Sequence, residues 1–154
     1  WRKHKSIYKV WISEIMLQQT QVSTVIKYYD KWITRYPNLK ILSTASLDDL
    51  LKLWEGLGYY RRLQNIYKTS QKIKKKYNYH FPKRYADLIK LDGIGDYTAS
   101  AILSIGYNKP YPAIDSNLKS ICDYELFSVG LSDEKGLKNI KYEESYVLSK
   151  PVGN

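Results

Sequence analysis

Apolar residues recur along this chain with the period of a helix. Tyr8, Trp11, Ile12, Ile15 and Met16 follow the i, i+3, i+4, i+7 spacing of one buried face. Val22, Val25, Ile26, Tyr29, Ile33 and Tyr36 repeat that spacing, and Pro37 stops it. Ser46 with Asp49 forms a capping signal ahead of Leu47, Leu50, Leu51 and Trp54. Gly56 and Gly58 interrupt, and Leu63, Ile66, Tyr67, Ser70 and Ile73 mark the next helix, whose other face is rich in Lys. His80-Phe81-Pro82 breaks the pattern again. A short helix is expected over 85–90, a tight turn over 91–95 and a further helix over 97–105. After the loop 108–112 one more helix is expected from Asp115, and the pattern weakens from Asp123. No strand alternation and no repeat is present, so the expected class is all-α.

The 154 residues suffice for one domain with a core. Charge sharpens this picture. Lys and Arg number 25 against 15 Asp and Glu, a net +10, which suits a polyanionic partner. A Lys-favouring coding bias would give the same excess. The 16 Tyr and 4 Trp can stack on unpaired bases, and they can equally fill a core. No run reaches the ~18 apolar residues of a membrane span. No charged segment leads into an apolar one at the start, so an intracellular protein is expected. The single Cys122 forms no internal disulfide and cannot alone hold an iron–sulfur cluster. The opening Trp1-Arg2-Lys3, without Met, reads as a piece of a longer protein.

The turn Leu91-Asp92-Gly93-Ile94-Gly95 between two short helices is the first chemical signal. A helix start exposes unpaired N–H groups and partial positive charge, and so binds a phosphate. Gly93 and Gly95 permit unusual backbone angles and close approach. A Gly-x-Gly by itself is also found at ordinary helix corners.

Four segments, in order, resemble the adenine-specific mismatch glycosylases, the MutY family of helix-hairpin-helix DNA glycosylases. They run from Trp11 to Val22 (WISEIMLQQTQV), Trp54 to Tyr60 (WEGLGYY), Leu91 to Ala99 (LDGIGDYTA) and Ala113 to Lys119 (AIDSNLK). The resemblance spans about residues 1–122. It implies a two-lobed helical fold: a six-helix core lobe over 6–112 with the hairpin at about 85–106, and part of a second lobe in 1–5 and 113–154. It also implies a [4Fe-4S] cluster for full-length members, whose ligands this chain lacks. A K+ or Na+ ion at the backbone of 91–95 belongs to the same pattern.

The resemblance assigns chemistry. Cleaving adenine from its sugar needs a proton for the base and an anion beside the developing sugar cation, as in glycoside hydrolysis. Glu14 matches the family's acid, with Gln18 one turn away. Partial burial would keep its proton available, although a mid-helix Glu is ordinarily solvated. Asp115 matches the family's electrostatic partner, and it also reads as an N-cap. Tyr97 matches a Tyr that bonds this aspartate. The lyase relatives carry Lys there, so base excision without efficient strand cleavage is expected.

Gln18 and Gln19 match residues that probe the duplex, and Tyr59 matches an intercalating wedge that fills the gap left by a flipped base. Tyr59 also reads as a core residue. Arg2, Leu17 and Asn117 match the adenine pocket, and Lys119 matches a nearby lysine. Arg61, Arg62, Lys68 and the run Lys72, Lys74, Lys75, Lys76 are phosphate candidates, the run doubling as a solvated face. Ser116 departs from the family's Gly, and the match fades after Lys119.

The resulting expectation is a monomeric enzyme removing adenine opposite guanine or 8-oxoguanine from double-stranded DNA, without a membrane partner. The alternatives are a T:G or U:G glycosylase of the same superfamily, and a DNA-binding fragment without excision activity.

Overall fold

The computed structural model of the chain describes residues 6–111. These fold into α1 (Ile7–Leu17), α2 (Val22–Arg35), α3 (Leu39–Leu42), α4 (Leu47–Trp54), α5 (Arg61–Tyr77), α6 (Tyr85–Leu88) and α7 (Asp96–Ala101). A π-helical turn, Ile102–Gly106, extends α7. No strand occurs among the described residues. The expected helix from Asp115 lies outside them.

The helix α1 is the hub, packing against α2, α5, α7 and the π-helical turn. Its residues from Val10 to Met16 are buried on every side. A helix surrounded in this way must be apolar almost throughout, which makes its one carboxyl group, Glu14, conspicuous. By contrast α2, α4 and α5 each bury one stripe: Val25, Tyr29 and Trp32; Leu50 and Trp54; Leu63, Ile66, Thr69, Ser70 and Ile73.

Three fully buried tryptophans organise the core. Trp32 meets Trp54 edge to face at 5.7 Å, and Trp11 meets Phe81 at 5.2 Å. Such contacts add ~0.5–1.5 kcal/mol beyond area burial. Two of the three indole N–H groups are satisfied: Trp54 Nε1 donates to the Gly58 carbonyl (2.9 Å), whereas Trp11 Nε1 is buried without a partner among the described residues. Trp32 Nε1 donates to the Tyr8 hydroxyl (3.1 Å), which donates to the Tyr36 carbonyl (2.7 Å). Burial pushes the Tyr8 hydroxyl well above the usual tyrosine range, so it remains a neutral donor.

Local signals set the boundaries. Ser46 Oγ accepts from the Asp49 amide (3.1 Å) and donates to its carboxylate (2.8 Å), closing the cap of α4. Gly56 and Gly58 take φ of +92° and +77°, ending α4 and turning the chain toward α5. The four-residue α3, which periodicity does not reveal, is capped by Asn38 through the Ile41 amide (2.9 Å). The helix expected over 85–90 ends at Leu88.

Candidate nucleic-acid and base-excision site

The hairpin is built on α5. Leu88, Leu91 and Ile94 are buried beneath it. Thr69 Oγ1 donates to the Asp92 carbonyl (3.0 Å), and Lys72 Nζ pairs with the Asp92 carboxylate at 2.6 Å. Lys72, a phosphate candidate from the sequence, is thus engaged in holding the turn. At the other end the Tyr85 hydroxyl donates to the Asp96 carboxylate.

The two glycines differ. Gly93 has φ of +74°, and a Cβ there would lie 2.8 Å from Asn65 Cβ. Both the backbone angle and the packing on α5 demand glycine. Gly93→Ala is expected to cost about 2 kcal/mol in urea unfolding. Adding Asn65→Gly should recover part of that loss, by relieving the clash and leaving the φ strain. An unchanged midpoint for Gly93→Ala would refute this account. Gly95 instead has φ of −92°, and a Cβ there would meet open space. Among the described residues nothing requires glycine at 95.

Glu14 is 3% exposed. It lines a cleft of about 500 Å³ together with Leu17, Gln18, Gly95, Asp96, Tyr97 and Thr98. Two distant segments meet here, the C-terminal half of α1 and the start of α7. Gln18 Nε2 reaches across to Thr98 Oγ1 (3.4 Å). The volume lies within the ~300–1,000 Å³ typical of small-molecule sites. Sequence-predicted Glu14, Leu17, Gln18, Gly95 and Tyr97 therefore share one cavity. Arg2, Asp115, Asn117 and Lys119 lie outside the described residues.

Gln19 and Tyr59 are exposed, and each adopts a left-handed backbone, φ +58° and +49°. Such conformations cost non-glycine residues of order 1–3 kcal/mol and persist where surrounding structure holds them. Tyr59 is 58% exposed and is not a core residue.

Arg62 is a correction to the sequence reading, which offered it to phosphates. It is 6% exposed. Its guanidinium donates to the carbonyls of Ile15 (3.2 Å), Met16 (2.6 Å), Gln18 (2.5 Å) and Gly58 (3.3 Å). It also lies over the rings of Trp54 (5.4 Å) and Tyr59 (5.3 Å). Burial lowers its pKa from the ordinary arginine value, and the Tyr59 hydroxyl opposes that shift. The signal for this role was present in the sequence: position 62 falls on the stripe 62, 66, 69, 73 that α5 buries. Arg61, Lys68, Lys74, Lys75 and Lys76 remain exposed.

The family profile for HhH-GPD superfamily base excision DNA repair proteins matches residues 12–140. The chain belongs to this superfamily. Relatives at higher identity carry one name. The chain is 56% identical over 134 residues to the adenine DNA glycosylase of Buchnera aphidicola subsp. Baizongia pistaciae, covering 87% of this chain and 38% of that protein. It is 42% identical over 115 residues to the adenine DNA glycosylase of Homo sapiens, covering 74% and 21%. The chain thus spans well under half the length of these relatives. Among solved structures a thermostable thymine-DNA glycosylase superposes with a TM-score of 0.77 at 22% identity, over 99% of this chain and 70% of that one. A non-covalent endonuclease III–DNA complex gives 0.72 at 20%, over 96% and 67%. At those identities the structural likeness establishes the fold alone, and it agrees with the all-helical HhH-GPD arrangement read from the sequence.

Among the described residues of this HhH-GPD protein no helix is long and apolar enough to cross a membrane, and no cluster of three or more His, Cys, Asp or Glu is placed to hold a metal. A single cysteine in the whole chain does not fit the ligand set of a [4Fe-4S] cluster. At the hairpin the carbonyls of Leu91, Asp92 and Gly95 accept bonds from Ile94, Thr69 and Ala99. Each keeps a second lone pair.

Proposed function

We propose that this chain carries the base-excising site of an adenine-specific DNA glycosylase, acting on adenine mispaired with guanine or 8-oxoguanine. The observation that supports this most is the burial of Glu14 at the wall of a cleft large enough for a flipped base. A carboxyl group held at the wall of such a cleft is placed to pass a proton to a base bound there.

In this reading Glu14 protonates the departing adenine at N7, then accepts a proton from the attacking water. The bond broken is the N-glycosidic bond, and water supplies the new oxygen on the sugar. Asp115 stabilises the developing sugar cation, and Tyr97 orients it. Leu17, Arg2 and Asn117 complete the base pocket, with Lys119 nearby. Gln18 and Gln19 probe the duplex beside the opposite base, and Tyr59 fills the vacated stack.

The hairpin docks a phosphate on the amides that open α7. The open space over Gly95 suits the close approach of a DNA backbone. The turn 91–95 would hold a K+ or Na+ ion beside that phosphate. The protein acts as a monomer inside the cell, and no step of this reaction is routed through an iron–sulfur cluster.

The test is excision from duplexes holding A:G, A:8-oxoguanine, T:G and U:G pairs. Adenine release from the first two, without strand cleavage, is the expected outcome. Release from the pyrimidine pairs alone would reassign the specificity. Binding without any release would leave a DNA-binding module.

A further inference from the structure

Gln19 and Tyr59 lie 40 residues apart in sequence on separate loops, yet both hold a left-handed backbone at the protein surface. The carbonyl just before each of them accepts a hydrogen bond from the same side chain. Arg62 Nη1 donates to the Gln18 carbonyl (2.5 Å) and Nη2 donates to the Gly58 carbonyl (3.3 Å). These carbonyls belong to the peptide groups 18–19 and 58–59, whose orientation sets where Gln19 and Tyr59 begin. A second donor, Trp54 Nε1, holds the Gly58 carbonyl at 2.9 Å. The Arg62 plane also lies 5.3 Å from the Tyr59 ring.

We propose that Arg62 is a positioning residue that couples the two turns, so that Gln19 and Tyr59 are presented to DNA as one rigid probe. This rests on the reading of those two side chains as duplex contacts. A planar guanidinium carries donors on separate nitrogens in fixed relation, so it can grip two carbonyls at once. An ammonium is a point donor and cannot reproduce that fork. The clamp is buried among the C-terminal carbonyls of α1, where a cation is favoured. It therefore needs no ligand to form, and the probe is organised before DNA arrives.

Two measurements test this on the whole chain. The first, without DNA, is amide hydrogen exchange. Arg62→Met should speed exchange over both 17–21 and 57–61 by roughly tenfold, since hydrogen bonds to a charged donor are lost in both turns. Loosening of neither turn, or of one alone, would overturn the coupling. Arg62→Lys retains the charge and serves if the Met variant fails to fold. It should leave at least one turn loosened, and full protection of both turns would refute the need for the fork.

The second measurement uses a mispaired duplex with 2-aminopurine beside the mispair, reporting unstacking by fluorescence. Tyr59→Ala should weaken binding clearly in the wild-type background and little once Arg62 is Met or Lys. Independent, multiplicative losses would overturn the proposal. If the wild type gives no fluorescence change although exchange shows the clamp, the duplex-probing reading fails and takes the proposal with it. If the wild type responds and both Arg62 variants respond equally, that reading stands and the Arg62 proposal alone falls.

Discussion

Glu14→Gln is expected to slow adenine release by ~10²–10⁴-fold in single-turnover assays with enzyme in excess, the range that a positioned general acid contributes. Duplex affinity should change little. The substitution conserves shape and removes the acid, at a position 3% exposed on the helix that anchors the whole core. That burial also makes a control necessary, because a disturbed core would lower activity for a trivial reason. The thermal midpoint and the salt response of binding supply it. A variant that folds, binds and still releases adenine at the wild-type rate would remove Glu14 from the chemistry. Asp96, the other carboxyl group lining the cleft between α1 and α7, would then be the acid to test.

Duplex affinity should fall about a thousandfold between roughly 50 and 200 mM salt, the loss expected when about six phosphates are neutralised and their counterions released. The net charge of +10 and the exposed Arg61, Lys68, Lys74, Lys75 and Lys76 motivate this steepness. Arg62 and Lys72 should contribute little, because one is buried among carbonyls and the other is paired with Asp92. The rate of the chemical step in a preformed complex should not follow salt, since Glu14 itself is buried. Fluorescence anisotropy of a labelled duplex across a salt series checks the first statement, and single-turnover excision at saturating enzyme checks the second. A flat binding curve would contradict docking by phosphate contacts.

Much of the architecture is legible in the sequence. The helices α2, α4 and α5 follow from apolar spacing, because one buried face per helix imposes a period the chain cannot hide. The same spacing marks α1, but its expected single buried face is corrected by the packing, which buries Val10 to Met16 on every side. The Ser46 cap, the break at Gly56 and Gly58 and the hairpin turn are local chemistry, written within a few residues. The short α3 was not legible. Four residues give no period, and its Asn38 cap is a weak signal by itself. The boundary of α6 shifted for a similar reason, as short helices are decided by what they pack on.

The candidate site divides the same way. Residue identity and order determined which groups are present: an acid on α1, a Tyr after the hairpin, two glycines in the turn. Tertiary structure decided what each can do. It withdrew Glu14 from solvent, where an isolated helix would have left it wet. It separated Gly93, required by its φ and by Asn65, from Gly95, which the fold leaves open. It turned Arg62 from a surface cation into a buried brace between residues 18 and 58. Each of these outcomes depends on contacts between segments distant in sequence. Local propensity carries no information about such partners, so only the packed chain determines them.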